Sequence, residues 1–72
     1  MSLLDLMKKY VHGDRVQYTS IDAMGVQWHG EIGTIIAGPI EYAGNVFYGI
    51  INLGTGQHVR VPFERIQGKV MM

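Results

Sequence analysis

Ten glycines punctuate this 72-residue chain, and from Asp14 onward they separate short runs rich in Val, Ile, Tyr, Phe and Thr. Glycine inside a helix costs about 1 kcal/mol relative to alanine, whereas between strands it supplies turns, bulges and close backbone approaches. That texture points to a mainly β chain, and the length leaves room for one small domain only. The count of cysteines is zero, so neither a disulfide nor a thiolate metal site reinforces the fold. A hydrophobic fraction of 47% and a mean hydropathy of +0.10 are high for a body with so much surface per volume. Oligomerisation is the remaining reinforcement, and a homo-oligomer is the expectation.

The N-terminal residues carry a different period. Ser2 is placed to cap a helix with Asp5 in its first turn, and Leu3, Leu6, Met7 and Tyr10 fall at i, i+3, i+4 and i+7. This predicts an amphipathic helix over residues 1–12, ended by His12 and Gly13, ahead of a β domain over residues 13–72. The stripe either closes one end of the core or docks a second subunit. Leu3, Leu6, Met7 and Tyr10 are therefore interface candidates, with Phe47 as the strand-borne one.

In the β domain, Val16 and Tyr18 share one face of a first strand over residues 14–20, opposite Arg15, Gln17 and Thr19. Residues 21–26 read as a loop. A second strand over 28–37 is interrupted at Gly33, where a bulge would bend it, and Trp28 is expected in the core. Residues 38–45, with turn formers at both ends, read as a long connecting loop that exposes Tyr42. Residues 46–52 are apolar on both faces except at Gly49. Gly54-Thr55-Gly56 then turns the chain into a strand over 57–61, whose Gln57, Val59 and Val61 alternate with His58 and Arg60. Pro62 stops that strand, Phe63 to Ile66 suit a single helical turn, and residues 67–72 add a last strand. About five short antiparallel strands with one apolar face each close most economically into a small barrel, because closure removes unpaired edges.

Gly13-Asp14-Arg15-Val16, Trp28-His29-Gly30-Glu31-Ile32 and Glu64-Arg65-Ile66, in that order, resemble the SH3-like small-barrel superfamily. Within it the chain is most similar to the plasmid- and integron-borne type II (B-type) dihydrofolate reductases. That resemblance implies a homotetramer on a mobile gene cassette, with one central pore for NADPH and dihydrofolate. The family's Val-Gln-Ile-Tyr stretch is not found in Gln57-His58-Val59-Arg60-Val61, so no catalytic residue is carried over.

Charge and spacing narrow the chemistry further. Six Lys+Arg balance six Asp+Glu, which disfavours nucleic-acid binding. No apolar run approaches the ~18 residues of a membrane span, and Lys8 and Lys9 follow the N-terminal apolar stretch, opposite to the order of a signal peptide. A cytoplasmic protein is expected. His12, His29 and His58 lack metal-ligand spacing. His29 and Glu31 share a strand face, an acid–base geometry that a solvated surface also produces. His58 and Arg60 share another and would offer donors to an anion, unless Arg60 is taken up by Glu64 or Glu31. Tyr42 and Tyr48 are candidates for a peptide groove. The expected function is a self-associating, non-catalytic binding module for a protein or peptide, with Tyr42, Tyr48, Gln57, His58 and Arg60 as binding residues and no cofactor. The alternative is a dihydrofolate reductase-like oligomer whose pore, at the subunit junction, takes NADPH.

Overall fold

The alternation in residues 14–20 forms a strand whose Val16 and Tyr18 are buried to 0% and 1% exposure, and the same alternation runs through residues 45–52. The structure, a computed structural model, describes residues 9–70. Its strands are β1 (Arg15–Ile21), β2 (Gln27–Tyr42), β3 (Asn45–Asn52), β4 (His58–Pro62) and β5 (Ile66–Lys69), with a 3-10 turn (Phe63–Arg65) between the last two. They make one antiparallel sheet in the order β4-β3-β2-β1-β5.

All five strands place side chains in one core: Val16, Tyr18, Ile35, Tyr48, Ile50, Val61 and Ile66. A flat sheet cannot bring its edge strands to the same core, so this one curls. The pivot is β2, sixteen residues long, which pairs with β1 through Gln27 to Thr34 and with β3 through Gly33 to Tyr42. Only Gly33 and Thr34 serve both ladders. Gly33 is buried, and a Cβ there would overlap Ile50 Cγ2 and stand 2.8 Å from the Ile51 carbonyl oxygen, so only glycine lets β3 approach this closely.

The sheet stops short of closing: β4 and β5 are its two edges and do not pair, in contrast to the closed barrel expected from sequence. The 3-10 turn keeps the ends of β4 and β5 close, yet β5 has four residues and covers β1 only as far as Tyr18. Residues 38–45 also differ from expectation. Gly38 and Pro39 sit in an irregularity inside β2, with Gly38 at φ 104°, and the true connection is the two residues Ala43 and Gly44 at φ 52° and 81°. Two positive φ values make a hairpin turn that matches strand twist and favours Asn-Gly. Ala43→Asn is accordingly expected to raise stability by about 0.5–1 kcal/mol, read as a higher denaturation midpoint at unchanged m-value.

The part of the predicted helix that falls on described residues, 9–12, is not helical. Residues 9–11 carry no regular structure and His12-Gly13 is a turn. Leu3, Leu6 and Met7 lie outside the described residues. Tyr10, expected at an interface, is buried in the chain's own core, its ring edge-on to Tyr48 at 5.3 Å and tilted against Phe63 at 6.2 Å. Burial of the ring against Tyr48 and Phe63 gains more than contact with solvent would.

Candidate functional site

Ahead of the start of β5, a cleft opens between β1 and β4. It is lined by residues 18–21 of β1 and 59–62 of β4, with Arg65 from the 3-10 turn, and has a volume of about 260 Å³. Its wall follows from strand alternation: Val61 is buried, Val59 half-buried against the core, and Arg60 points to the other face. Across the ladder from Arg60 lies Gly49, which has no side chain to cover it. Arg60 and Arg65, both exposed, thus lie on one opening. The ion pair among the described residues is Lys69 Nζ to Asp14 Oδ2 at 3.4 Å, so neither Arg60 nor Arg65 is neutralised by a described carboxylate.

The acids proposed as partners for Arg60 are otherwise placed. Glu31 accepts a hydrogen bond from Asn52 Nδ2 at 2.9 Å, and the same amide nitrogen donates to the Tyr18 hydroxyl at 2.7 Å. Glu64 is exposed on the 3-10 turn and forms no ion pair with a described residue. Thr19, on the cleft, is held by Gln67 Nε2, which donates to its hydroxyl at 3.1 Å, and stands 3.0 Å from His29 Nδ1. His29 and Glu31 therefore serve separate polar clusters and do not act on each other. Among the described residues no three His, Asp or Glu side chains come together as metal ligands, and no helix is long and apolar enough to cross a membrane.

Of the candidate binding residues, Arg60 alone lines the cleft. His58 and Gln57 are exposed at the start of β4, and Tyr42 is 69% exposed at the β2–β3 hairpin. Tyr48 is a correction: it is fully buried, with Tyr10 packed on its ring, and is a core residue out of reach of a surface ligand. Phe47 is half-buried on the outer face, between Ile40 and Pro62 in the ladder. Arg65 was missed because a cation in a one-turn helix beside Glu64 looks like ordinary solvated charge; only the fold brings it to the cleft that Arg60 lines.

Trp28 is a second correction, being 54% exposed instead of in the core. Its indole Nε1–H donates to Asp22 Oδ2 at 3.1 Å, while Asp22 Oδ1 accepts from the Met24 and Val26 amides at 2.9 Å each. These donors, Trp28 first and Val26 next, hold the Asp22 carboxyl below its ordinary value of 3.8. A carboxyl whose pKa is lowered by folding adds stability above its unfolded value, and that stability is lost as pH falls through the folded value. Fluorescence of Trp28, the single tryptophan, is expected to hold steady from neutral pH to about pH 4 and to change only at lower pH. In Asp22→Ala the fluorescence at neutral pH should already match the acid form; a transition near pH 6 would contradict the assignment.

No family model matches this chain, and no curated protein or solved structure is significantly similar to it.

Proposed function

We propose that this domain is a non-catalytic binding module that takes an anionic ligand in the β1–β4 cleft. The observation that carries the reading is the pairing of Arg60 and Arg65 on one cleft with no described carboxylate between them. Guanidinium groups bind carboxylates through charge-assisted, often forked hydrogen bonds, and Ser20 on the opposite wall adds a hydroxyl-bearing residue. The cleft is below the ~300–1,000 Å³ of sites that enclose drug-sized ligands, which favours a short segment or small anion over a dinucleotide. The zero net charge argues against a nucleic-acid backbone as the ligand.

The single curled antiparallel sheet around one core supports an SH3-like architecture as the frame for this cleft. Self-association is part of the same proposal. Met24 at 89% exposure, with Val26 and Trp28 beside it in sequence, gives the β1–β2 loop an apolar surface that the Asp22 hydrogen bonds hold in place.

Titration with capped hexaglutamate, followed by backbone amide shifts, tests the ligand class. Binding is expected to shift residues 18–21 and 59–62, to weaken with salt, and to fall at least tenfold in the Arg60→Ala/Arg65→Ala double variant, since hydrogen bonds to charged groups contribute about 1.5–3 kcal/mol each. Unchanged affinity in the double variant, or shifts confined to other surfaces, would remove the proposal.

A further inference from the structure

The cleft is more than a cationic notch, because both of its walls are strand edges. Beyond Tyr18, β1 keeps β2 on one side, through Ser20 and Trp28 and through Ile21 and Gln27, while on the other β5 has not yet begun and the 3-10 turn that leads into it packs against β1 without pairing. The terminal strand β4 pairs with β3 alone. Among the described residues, no backbone hydrogen bond outside the ladders engages residues 19–21 or 58–62. Alternate residues of a strand turn their N–H and C=O groups to opposite sides. Whichever set of β4 faces the seam, His58 and Arg60 or Val59 and Val61, two N–H groups are offered there, Pro62 having none.

We propose, resting on the anionic-ligand reading above, that the ligand is an extended acidic peptide segment that inserts between β1 and β4 as an added strand. Such a strand would satisfy both open edges at once and continue the sheet across its gap, the strand-addition mode of peptide recognition. The side chains of the two walls set its pattern. One face of the inserted strand meets Tyr18, Val59 and Val61, which line the core side; the other meets Arg60 on the outer face. The period of two along a strand then requires apolar residues alternating with acidic ones over the three to four positions that the edges span. A nucleic acid has no backbone N–H and C=O groups to pair with two strand edges. A run of acids without apolar residues between them, such as hexaglutamate, would put a carboxylate against the core if inserted, and so binds at the cations through its charge alone and more weakly.

Three capped hexapeptides of the same formal charge separate the possibilities. They are Glu-Val-Glu-Val-Glu-Val, its isomer Glu-Glu-Glu-Val-Val-Val, and the alternating peptide with N-methyl groups on every second residue. The alternating peptide is expected to bind at least tenfold more tightly than the other two. It should also slow amide hydrogen exchange within residues 19–21 and 58–61. Equal affinity for all three, with the Arg60→Ala/Arg65→Ala loss retained, would overturn strand insertion and leave the anionic-ligand reading standing. Failure of every acidic peptide to bind would remove both. Slowed exchange at the same amides that grows with protein concentration in the absence of peptide would assign the seam to a second copy of this chain, and equal binding of a single-stranded oligonucleotide would assign the cations to a phosphate backbone; either overturns the peptide as occupant.

Discussion

Replacing Gly33 with alanine is expected to lower the melting temperature by more than 10 °C, or to leave the chain unfolded at room temperature. The added methyl group has nowhere to go: it meets Ile50 Cγ2 on one side and the backbone carbonyl of Ile51 on the other, and neither is the free end of a flexible side chain. Overpacking of this kind costs about 1–3 kcal/mol and sometimes more. A domain of this size has stability near the low end of the usual ~5–15 kcal/mol, and about 1 kcal/mol moves its midpoint by ~4–8 °C. The effect is concentrated because Gly33 is where β2 passes from the β1 ladder to the β3 ladder. Displacing β3 there disturbs both halves of the core. Gly56→Ala is the informative control: Gly56 has φ 75° and open space around its Cβ direction, so only the backbone conformation is penalised, by about 1–2 kcal/mol. Thermal unfolding by circular dichroism separates the two, and equal midpoints for both variants would show that the β2–β3 approach is not tight.

The second large effect is expected at Asn52, the buried polar residue of the core region, 6% exposed. Its amide nitrogen donates to the Tyr18 hydroxyl at 2.7 Å and to Glu31 Oε2 at 2.9 Å, and its carbonyl oxygen accepts from the Gly54 and Thr55 amides at 2.8 and 3.0 Å. One side chain thereby ties the β3–β4 turn to β1 and β2. Asn52→Ala strands the Tyr18 hydroxyl inside the core, whereas the turn amides are able to reach water. With about 1–3 kcal/mol for each buried group left unsatisfied and less for the exposed ones, the loss is expected at about 2–4 kcal/mol. Tyr18→Phe removes one hydrogen bond and leaves Asn52 its Glu31 partner, so about 1 kcal/mol is expected there. Combined, the two substitutions should cost less than the sum, because the second removes the very group that the first leaves unpaired. Chemical denaturation of the two single variants and the double variant measures this coupling, and strict additivity would show that the Asn52–Tyr18 contact carries no energy.

Local pattern and tertiary environment divide the rest of the molecule between them. The inward residues Val16, Tyr18, Val59 and Val61 were legible because a period of two marks a half-buried strand wherever the chain places it. The stop at Pro62 and the single helical turn after it were legible for the same local reason, whereas the bulge expected at Gly33 is not there: both ladders pass through Gly33 in register, and the irregularities of the β3 ladder lie between Ile35 and Ile40. The 38–45 connection was misread, since Gly38-Pro39 is the pattern of a turn and an alanine at positive φ leaves no trace in sequence. Trp28 was misplaced because a large aromatic residue is usually worth burying. Its loop instead anchors the indole N–H on Asp22 at the surface.

At the candidate site, sequence alone identified Arg60 as a cation on an outward strand face, and alternation required no more than that. It was silent about Arg65, about Tyr10 as the ring that covers Tyr48, and about the gap between β1 and β4. The strands and their inward faces depend on neighbours a few residues apart, so the sequence by itself determined them. The open seam and the presence of both Arg60 and Arg65 on it depend on how far β5 runs along β1 and on where the 3-10 turn sets Arg65 down. Those are relations between segments some forty residues apart, settled by burial of the shared core, and only the tertiary structure decided them.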